Sequence, residues 1–426
     1  MKRREFVTAL GAGSALAALS GCATMGGGSA GRVVVIGGGY AGATAAKYIR
    51  MWSEGRVDVT LVEPRERFVS CPMSNLVIGG SKNLDYLTQS YDGLVKRHGV
   101  KLVRDTATRI DADKRTVTTA GGQTLSYDRL IVAPGIDFMW DQLPAMAKNT
   151  AAASEVAPHA WQAGPQTVLL RRQLEAMPDG GVAVISIPRA PYRCPPGPYE
   201  RACQMASYFK KSKPKSKVLI LDGNEDVQSK KALFMKVWNE TYKGIVEYRP
   251  NYVLTDVDLG SKTLRFDTQD SVKADVINVI PPQKAGSIAA AAGVITANNR
   301  WCEVDFLTYE SIKVKNVHVL GDAIQIAPGM PKSGHMANNQ AKVCAAAVVA
   351  LMTGGTVSQT PMLTNTCYSM TSDAESVHVA SVHQYDAGKK TMLTVPGSGG
   401  VSVAPTTIEG DYALAWAQNI WSDVLA

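Results

Sequence analysis

The residues of widest chemical range in this chain are its seven cysteines. A thiolate is a nucleophile, and two thiols make a reversible two-electron couple, so the setting of each cysteine matters more than their number. Cys194 lies in Pro188-Arg189-Ala190-Pro191-Tyr192-Arg193-Cys194-Pro195-Pro196-Gly197-Pro198-Tyr199-Glu200, a run with five prolines. Cys367 lies in Leu363-Thr364-Asn365-Thr366-Cys367-Tyr368, and Cys71 opens Cys71-Pro72-Met73-Ser74. Cys203, Cys302 and Cys344 read as small buried apolar residues. The other chemical signal is glycine: Gly37-Gly38-Gly39-Tyr40-Ala41-Gly42 spells G-x-G-x-x-G.

Those glycines act only if a strand and a helix frame them. Val33-Val34-Val35-Ile36 reads as a buried strand, residues 43–50 have helical composition, and Val57–Val62 reads as a second strand ending in Glu63. In such a unit Gly37 makes the tight turn and Gly39 lets the backbone approach a pyrophosphate at the helix N-terminus. Gly42 permits close helix packing, and Glu63 is placed to hold a ribose hydroxyl pair. A nucleotide is therefore expected, though these residues alone do not choose between NAD and FAD.

Two distant segments choose. Tyr127-Asp128-Arg129-Leu130-Ile131-Val132-Ala133-Pro134-Gly135 and Val317-His318-Val319-Leu320-Gly321-Asp322-Ala323 resemble the second and the late motifs of two-dinucleotide-domain flavoproteins of the disulfide reductase type. The resemblance implies FAD contacts at Pro134, Gly135, Gly321 and Asp322, with the aspartate at the ribityl chain. Taken singly, each motif is also a strand ending in a turn. The expected fold is α/β, with two dinucleotide-binding-type (Rossmann-like) domains and a smaller C-terminal α+β domain. The FAD domain is expected to be split, 31–147 and 288–357, around a second dinucleotide-type domain at 148–287, with a C-terminal domain at 358–426.

The second domain lacks its own fingerprint. The strand at 181–187 runs into the proline-rich loop, and the following strand ends in Asp222, but the glycines are gone. Proline offers neither a free N–H nor a missing side chain, so no second pyrophosphate is expected there and electrons must reach the flavin without nicotinamide. Nor does Cys71 form the C-x-x-x-x-C dithiol of a disulfide reductase, since no second cysteine lies within five residues.

The runs Cys194-Pro195-Pro196-Gly197-Pro198-Tyr199-Glu200-Arg201, Pro331-Lys332-Ser333-Gly334-His335, Asn365-Thr366-Cys367-Tyr368-Ser369 and Cys71-Pro72-Met73-Ser74-Asn75-Leu76-Val77-Ile78-Gly79-Gly80 together resemble the flavoprotein subunit of flavocytochrome c sulfide dehydrogenase. The resemblance runs from about Gly31 to the C-terminus. It implies that Cys71 is the covalent attachment to the flavin 8α position and that Cys194 and Cys367 form a redox disulfide over the flavin ring. It further implies oxidation of hydrosulfide, with electrons passed to a separate c-type cytochrome docked on the 358–426 domain. The chain departs from the family pattern at Pro72-Met73, where a bulkier aromatic follows the attachment cysteine. From the residues alone, Cys71 also reads as an inert buried thiol, and Cys194 with Cys367 as a structural staple or two unpaired thiols. Glu200, six residues after Cys194, is a candidate for moving protons or a solvated first-turn carboxylate. His335 lies near the flavin or caps a helix, and Trp416 and Trp421 anchor an interface or pack a core.

No C-x-x-C-H occurs, so covalent c-type haem is expected in a partner and not in this chain. Lys2-Arg3-Arg4 before an apolar run to Leu19 resembles a twin-arginine export signal over 1–30, which implies a periplasmic protein exported folded. Leu19-Ser20-Gly21-Cys22 resembles a lipoprotein cleavage box. The net charge is +8, and residues 1–31 hold three basic and one acidic residue, so the remainder carries +6. The basic run at 210–217 has no interleaved aromatics, which argues against nucleic acid and for a solvated loop or an anion-attracting field. No interior stretch reaches the roughly 18 apolar residues of a membrane span. Two other readings fit the same residues. One is a sulfide:quinone oxidoreductase, and the other is a non-catalytic flavoprotein that serves a cytochrome.

Overall fold

The computed structural model describes residues 29–426, so the export-signal and Cys22 readings lie outside the described residues. The first sheet is parallel, in the spatial order Val317–Val319, Arg129–Val132, Gly31–Ile36, Val57–Val62, Lys101–Val103. Its central strand is a β-branched run buried on both faces, as a parallel sheet covered by helices requires. The late strand Val317–Val319 joins this sheet beside Arg129–Val132, so the chain leaves the sheet and returns to it. Helix Tyr40–Trp52 follows the glycine turn and packs on helix Gly334–Thr353. Its inward positions are alanines and Thr44, whose Oγ1 accepts a hydrogen bond from Asn338 Nδ2 at 3.0 Å.

The chain in between builds a second parallel sheet in the order Val246–Arg249, Lys217–Asp222, Val182–Ile187, Val276–Val279. Helix Gly197–Ser212 packs on this sheet and also against helix Ser74–Gly79 and strand Met362–Met370. The C-terminal part is antiparallel: Met362–Met370, Ser376–Asp386 and Thr391–Thr394 in order, with Gly400–Val401 paired on the second strand. It ends in helix Thr407–Leu425, capped by Thr406, whose Oγ1 accepts from the Glu409 N–H at 3.2 Å. This gives two Rossmann-like α/β units and a C-terminal α+β unit. Among the described residues no helix is long and apolar enough to cross a membrane.

Candidate functional site

The glycine turn has the two opposite properties that a pyrophosphate cradle needs. A Cβ on Gly42 would lie 1.8 Å from the Gly37 carbonyl oxygen, so helix and turn touch there with no room for a side chain. A Cβ on Gly39, at the helix N-cap, would meet no protein atom within 4 Å. That open space beside the first helical N–H groups is the shape a phosphate fills. Gly37 has φ +95°, and a Cβ on it would stand 2.4 Å from the Ala133 carbonyl oxygen. Glu63 is buried, and its carboxylate accepts the Gly38 N–H at 2.6 Å and the Arg65 N–H at 2.9 Å, so it braces the turn in addition to ending the strand.

The late motif carries a second vacancy for a ligand group. Gly321 has φ +71°, its N–H is accepted by Gln340 Oε1 at 3.0 Å, and the neighbouring Asp322 is held where its Oδ1 is buried with no hydrogen-bond partner. A buried carboxylate oxygen without a donor is costly, and a polyol hydroxyl is the kind of donor that relieves it. Burial raises the Asp322 pKa, with Arg193 and Lys332 pulling it back. Lys332 Nζ donates to the carbonyls of Asp322 (2.8 Å) and Ile324 (2.6 Å) and stands 3.7 Å over the Trp301 ring; burial lowers its pKa to about 7. Pro134 packs against Gly286, where a Cβ would clash at 2.7 Å, and Gly135 has φ +68° with open space around it. These residues fit FAD.

Three cysteines converge on this region from three segments. Cys71 is half-buried between strand Phe68–Val69 and helix Ser74–Gly79, in a turn where Met73 takes φ +71°. Cys194 has φ +57°, and its N–H is accepted by the Lys332 carbonyl at 2.9 Å, which ties the proline-rich loop to the late motif. Gly197 fits under it: a Cβ there would lie 3.0 Å from Cys194 Sγ and 2.8 Å from the Trp161 ring. Cys367 sits mid-strand, opposite Val379. Cys194 and Cys367 are free thiols, close enough that a negative charge on Cys367 would be felt at Cys194. Burial pushes the Cys194 thiol up to about 12, with Cys367 and Glu200 adding to the rise and Arg193 and Lys230 opposing it. Arg193 faces both Cys71 and Asp322, so one guanidinium serves the Cys71 turn and the late motif.

Glu200 is not a solvated first-turn carboxylate. It is 8% exposed, its Oε1 accepts the Met370 N–H at 3.0 Å, and its Oε2 accepts Asn75 Nδ2 at 3.1 Å. Burial raises its pKa, so the carboxyl keeps a proton further up the pH scale than an exposed one. One turn on, Gln204 Nε2 donates to the carbonyls of Met370 (3.0 Å) and Ser372 (2.7 Å). Helix Gly197–Ser212 thus grips the end of the strand that carries Cys367. His335 does not cap its helix. Ser333 does, accepting from the Met336 N–H at 3.0 Å, while His335 Nδ1 accepts from the Thr366 N–H at 3.0 Å, next to Cys367. Trp421 is buried, with Nε1 donating to Tyr40 Oη at 3.0 Å, so it packs core; Trp416 is half-buried and lines a groove of about 430 Å³ with His335 and Tyr368. Cys203, Cys302 and Cys344 are buried.

The second Rossmann-like unit has its acid occupied. Asp222 is fully buried, and its Oδ2 accepts Tyr199 Oη–H at 2.7 Å and Tyr248 Oη–H at 3.2 Å, while Oδ1 accepts from Asn224. The carboxylate that would bind a second ribose is spent on tyrosines of the chain itself, which agrees with the loss of the glycines. Arg193, Lys332 and Lys230 were not singled out by sequence reasoning. Lys332 lies inside a quoted motif, whereas Lys230 in Ser229-Lys230-Lys231 carries no local signal.

Three family models match the chain: pyridine nucleotide-disulphide oxidoreductase over 31–160, the central domain of the sulfide dehydrogenase (flavocytochrome c) flavoprotein chain over 167–281, and the flavin-binding domain of flavocytochrome c sulphide dehydrogenase over 359–425. The last covers the segment assigned from sequence to a cytochrome interface, and its strand carries Cys367 into the flavin region. The chain is 26% identical over 301 residues to the mitochondrial sulfide:quinone oxidoreductase of Dictyostelium discoideum, 68% of this chain and 65% of that relative's length. It is 56% identical over 46 residues, 11% of this chain, to the sulfide dehydrogenase (flavocytochrome c) flavoprotein chain of Chlorobaculum thiosulfatiphilum, covering 94% of that sequence. The fold is similar to the solved sulfide:quinone oxidoreductase of Aquifex aeolicus, with TM-score 0.74 at 18% identity over 92% of this chain and 91% of that one. With the three models in chain order and the Chlorobaculum match, the chain belongs to the flavocytochrome c sulfide dehydrogenase flavoprotein family.

Proposed function

We propose that this protein oxidises hydrosulfide, using FAD and the Cys194–Cys367 pair, and delivers the electrons to a separate c-type cytochrome. The observation that carries the reading is that Cys194, within charge reach of Cys367, is tied through Lys332 to Asp322, whose buried carboxylate oxygen lacks a donor. In the oxidised pair, hydrosulfide attacks one cysteine sulfur. A sulfur–sulfur bond forms to that cysteine, the bond between the cysteines breaks, and its electron pair leaves on the other sulfur as a thiolate. Bound FAD supplies an acceptor that takes electrons in pairs and returns them singly. Gly37, Gly39, Gly42, Glu63, Pro134, Gly135, Gly321 and Asp322 would hold it, and Cys71 would be its point of covalent attachment. Glu200, buried and with a raised pKa, holds a proton beside the pair and can exchange it with the departing sulfur.

The cytochrome docks on the C-terminal unit. Val401, Val403, Ile408 and Tyr412 leave an apolar surface exposed there, of the kind that partners cover. The protein acts in the periplasm, exported folded by its twin-arginine signal, with Cys22 available for a lipid anchor. A quinone acceptor is the second reading, favoured by the likeness to the Dictyostelium sulfide:quinone oxidoreductase. Steady-state assays with sulfide and either cytochrome c or a short-chain ubiquinone separate the two. We expect cytochrome c to be reduced at least tenfold faster; the opposite ratio would replace the cytochrome with a quinone.

A further inference from the structure

Lys230 belongs to none of the machinery assigned so far. It adopts φ +54° just before helix Lys231–Glu240, in the left-handed region that L-residues avoid, and it is 9% exposed. Its Nζ donates to the Cys367 carbonyl at 2.8 Å and to Ser369 Oγ at 2.7 Å. Among the described residues no carboxylate pairs with it, although its neighbour Lys231 pairs with Asp226 at 2.5 Å. A buried ammonium without an anion is costly, and a chain that keeps one places it where an anion comes and goes. Burial lowers the Lys230 pKa, and the negative charges that hold the proton on it are those of Cys367 on the neighbouring strand, Glu200 on helix Gly197–Ser212, Cys194 on the proline-rich loop and Glu409 on the C-terminal helix. Arg193 is the other cation that faces Cys194. Burial raises the Glu200 pKa, which weakens it as a standing counter-ion for the lysine.

We propose that Lys230 is the fixed counter-charge for the sulfur anion at the cysteine pair: hydrosulfide on arrival, and the cysteine thiolate once the pair is opened. The proposal rests on the reading of Cys194 and Cys367 as the sulfur-reactive pair. Its charge balance is simple. One anion enters as hydrosulfide, the new sulfur–sulfur bond forms as the old one breaks, and one anion remains as thiolate, so a single ammonium suits both states. Lys230 acts through position and charge and exchanges no proton in this step.

The test is the pH profile of alkylation by iodoacetamide of the full-length, FAD-loaded, dithiothreitol-reduced protein, with adducts at Cys194 and Cys367 read by mass spectrometry. The pair titrates in two coupled steps, and the first is the informative one. The wild-type midpoint of that step is the reference for the variants. Lys230→Gln keeps a donor for the carbonyl but loses the charge, and should raise the midpoint by about one unit or more, a tenfold loss of thiolate at fixed pH. Lys230→Arg should stay within about half a unit of the wild type, a factor of about three. An unchanged midpoint in Lys230→Gln, or an equal shift in Lys230→Arg, overturns the proposal. If the glutamine variant does not fold, Lys230→Met, which also removes the charge, is read in the same way, and an unchanged midpoint there overturns the proposal. Failure of sulfide to reduce the flavin with this profile intact would instead remove the proposed function and leave the counter-charge standing.

Discussion

Two glycines three positions apart separate folding from cofactor binding. Gly42→Ala drives a methyl to 1.8 Å from a backbone oxygen that cannot swing away, and should destabilise the fold by about 3 kcal/mol or more, read as a fall in Tm of the apoprotein. Gly39→Ala places its methyl in open space, so the apoprotein Tm should stay within about 2 °C while the flavin-to-protein absorbance ratio after purification falls at least tenfold. Glu200 gives a pH signature of its own. Its folded pKa is raised above the unfolded value of about 4.3, so the native state holds the proton more tightly, and stability is lost as pH rises from there through the folded pKa. Glu200→Gln should flatten that fall, and the variant should gain on the wild type as pH rises above about 4.3 in calorimetric unfolding.

The position of Cys367 is decided by a helix from another unit. Glu200 and Gln204, four residues apart on helix Gly197–Ser212, face the same strand end and bind Met370 and Ser372. Gln204→Ala leaves two carbonyl groups without their donor and should cost about 1–3 kcal/mol in chemical denaturation. Elements of this kind were legible where one residue type must recur at short spacing: the strand before Gly37, the helix after it, and the strand ending in Glu63. The proline-rich loop argued against a nicotinamide site because prolines stand where N–H groups are needed. The engagement of Asp222 was not legible, because it meets Tyr199 and Tyr248 from segments 23 and 26 residues away.

At the scale of the molecule, the site is where three chain segments close on one another, and this explains which of its parts could be read in advance. Glycines, cysteines and Asp322 stood out because their chemistry admits few substitutes. Lys230, Arg193 and Lys332 did not, since a lysine or arginine is ordinarily solvated and only the folded chain brings these three against sulfur and carboxylate. The family models match 31–160, 167–281 and 359–425, yet the site roles rest on the chemistry of the cysteine pair. The most direct test is anaerobic stopped-flow mixing of the FAD-loaded protein with micromolar to millimolar sulfide, following flavin absorbance and then the reduction of added cytochrome c. Sulfide should bleach the flavin of the wild type, cytochrome c should restore its colour, and Cys194→Ser and Cys367→Ser should each slow bleaching at least a hundredfold. A flavin that keeps its absorbance throughout the sulfide range, or serine variants that bleach as fast as the wild type, would contradict the account.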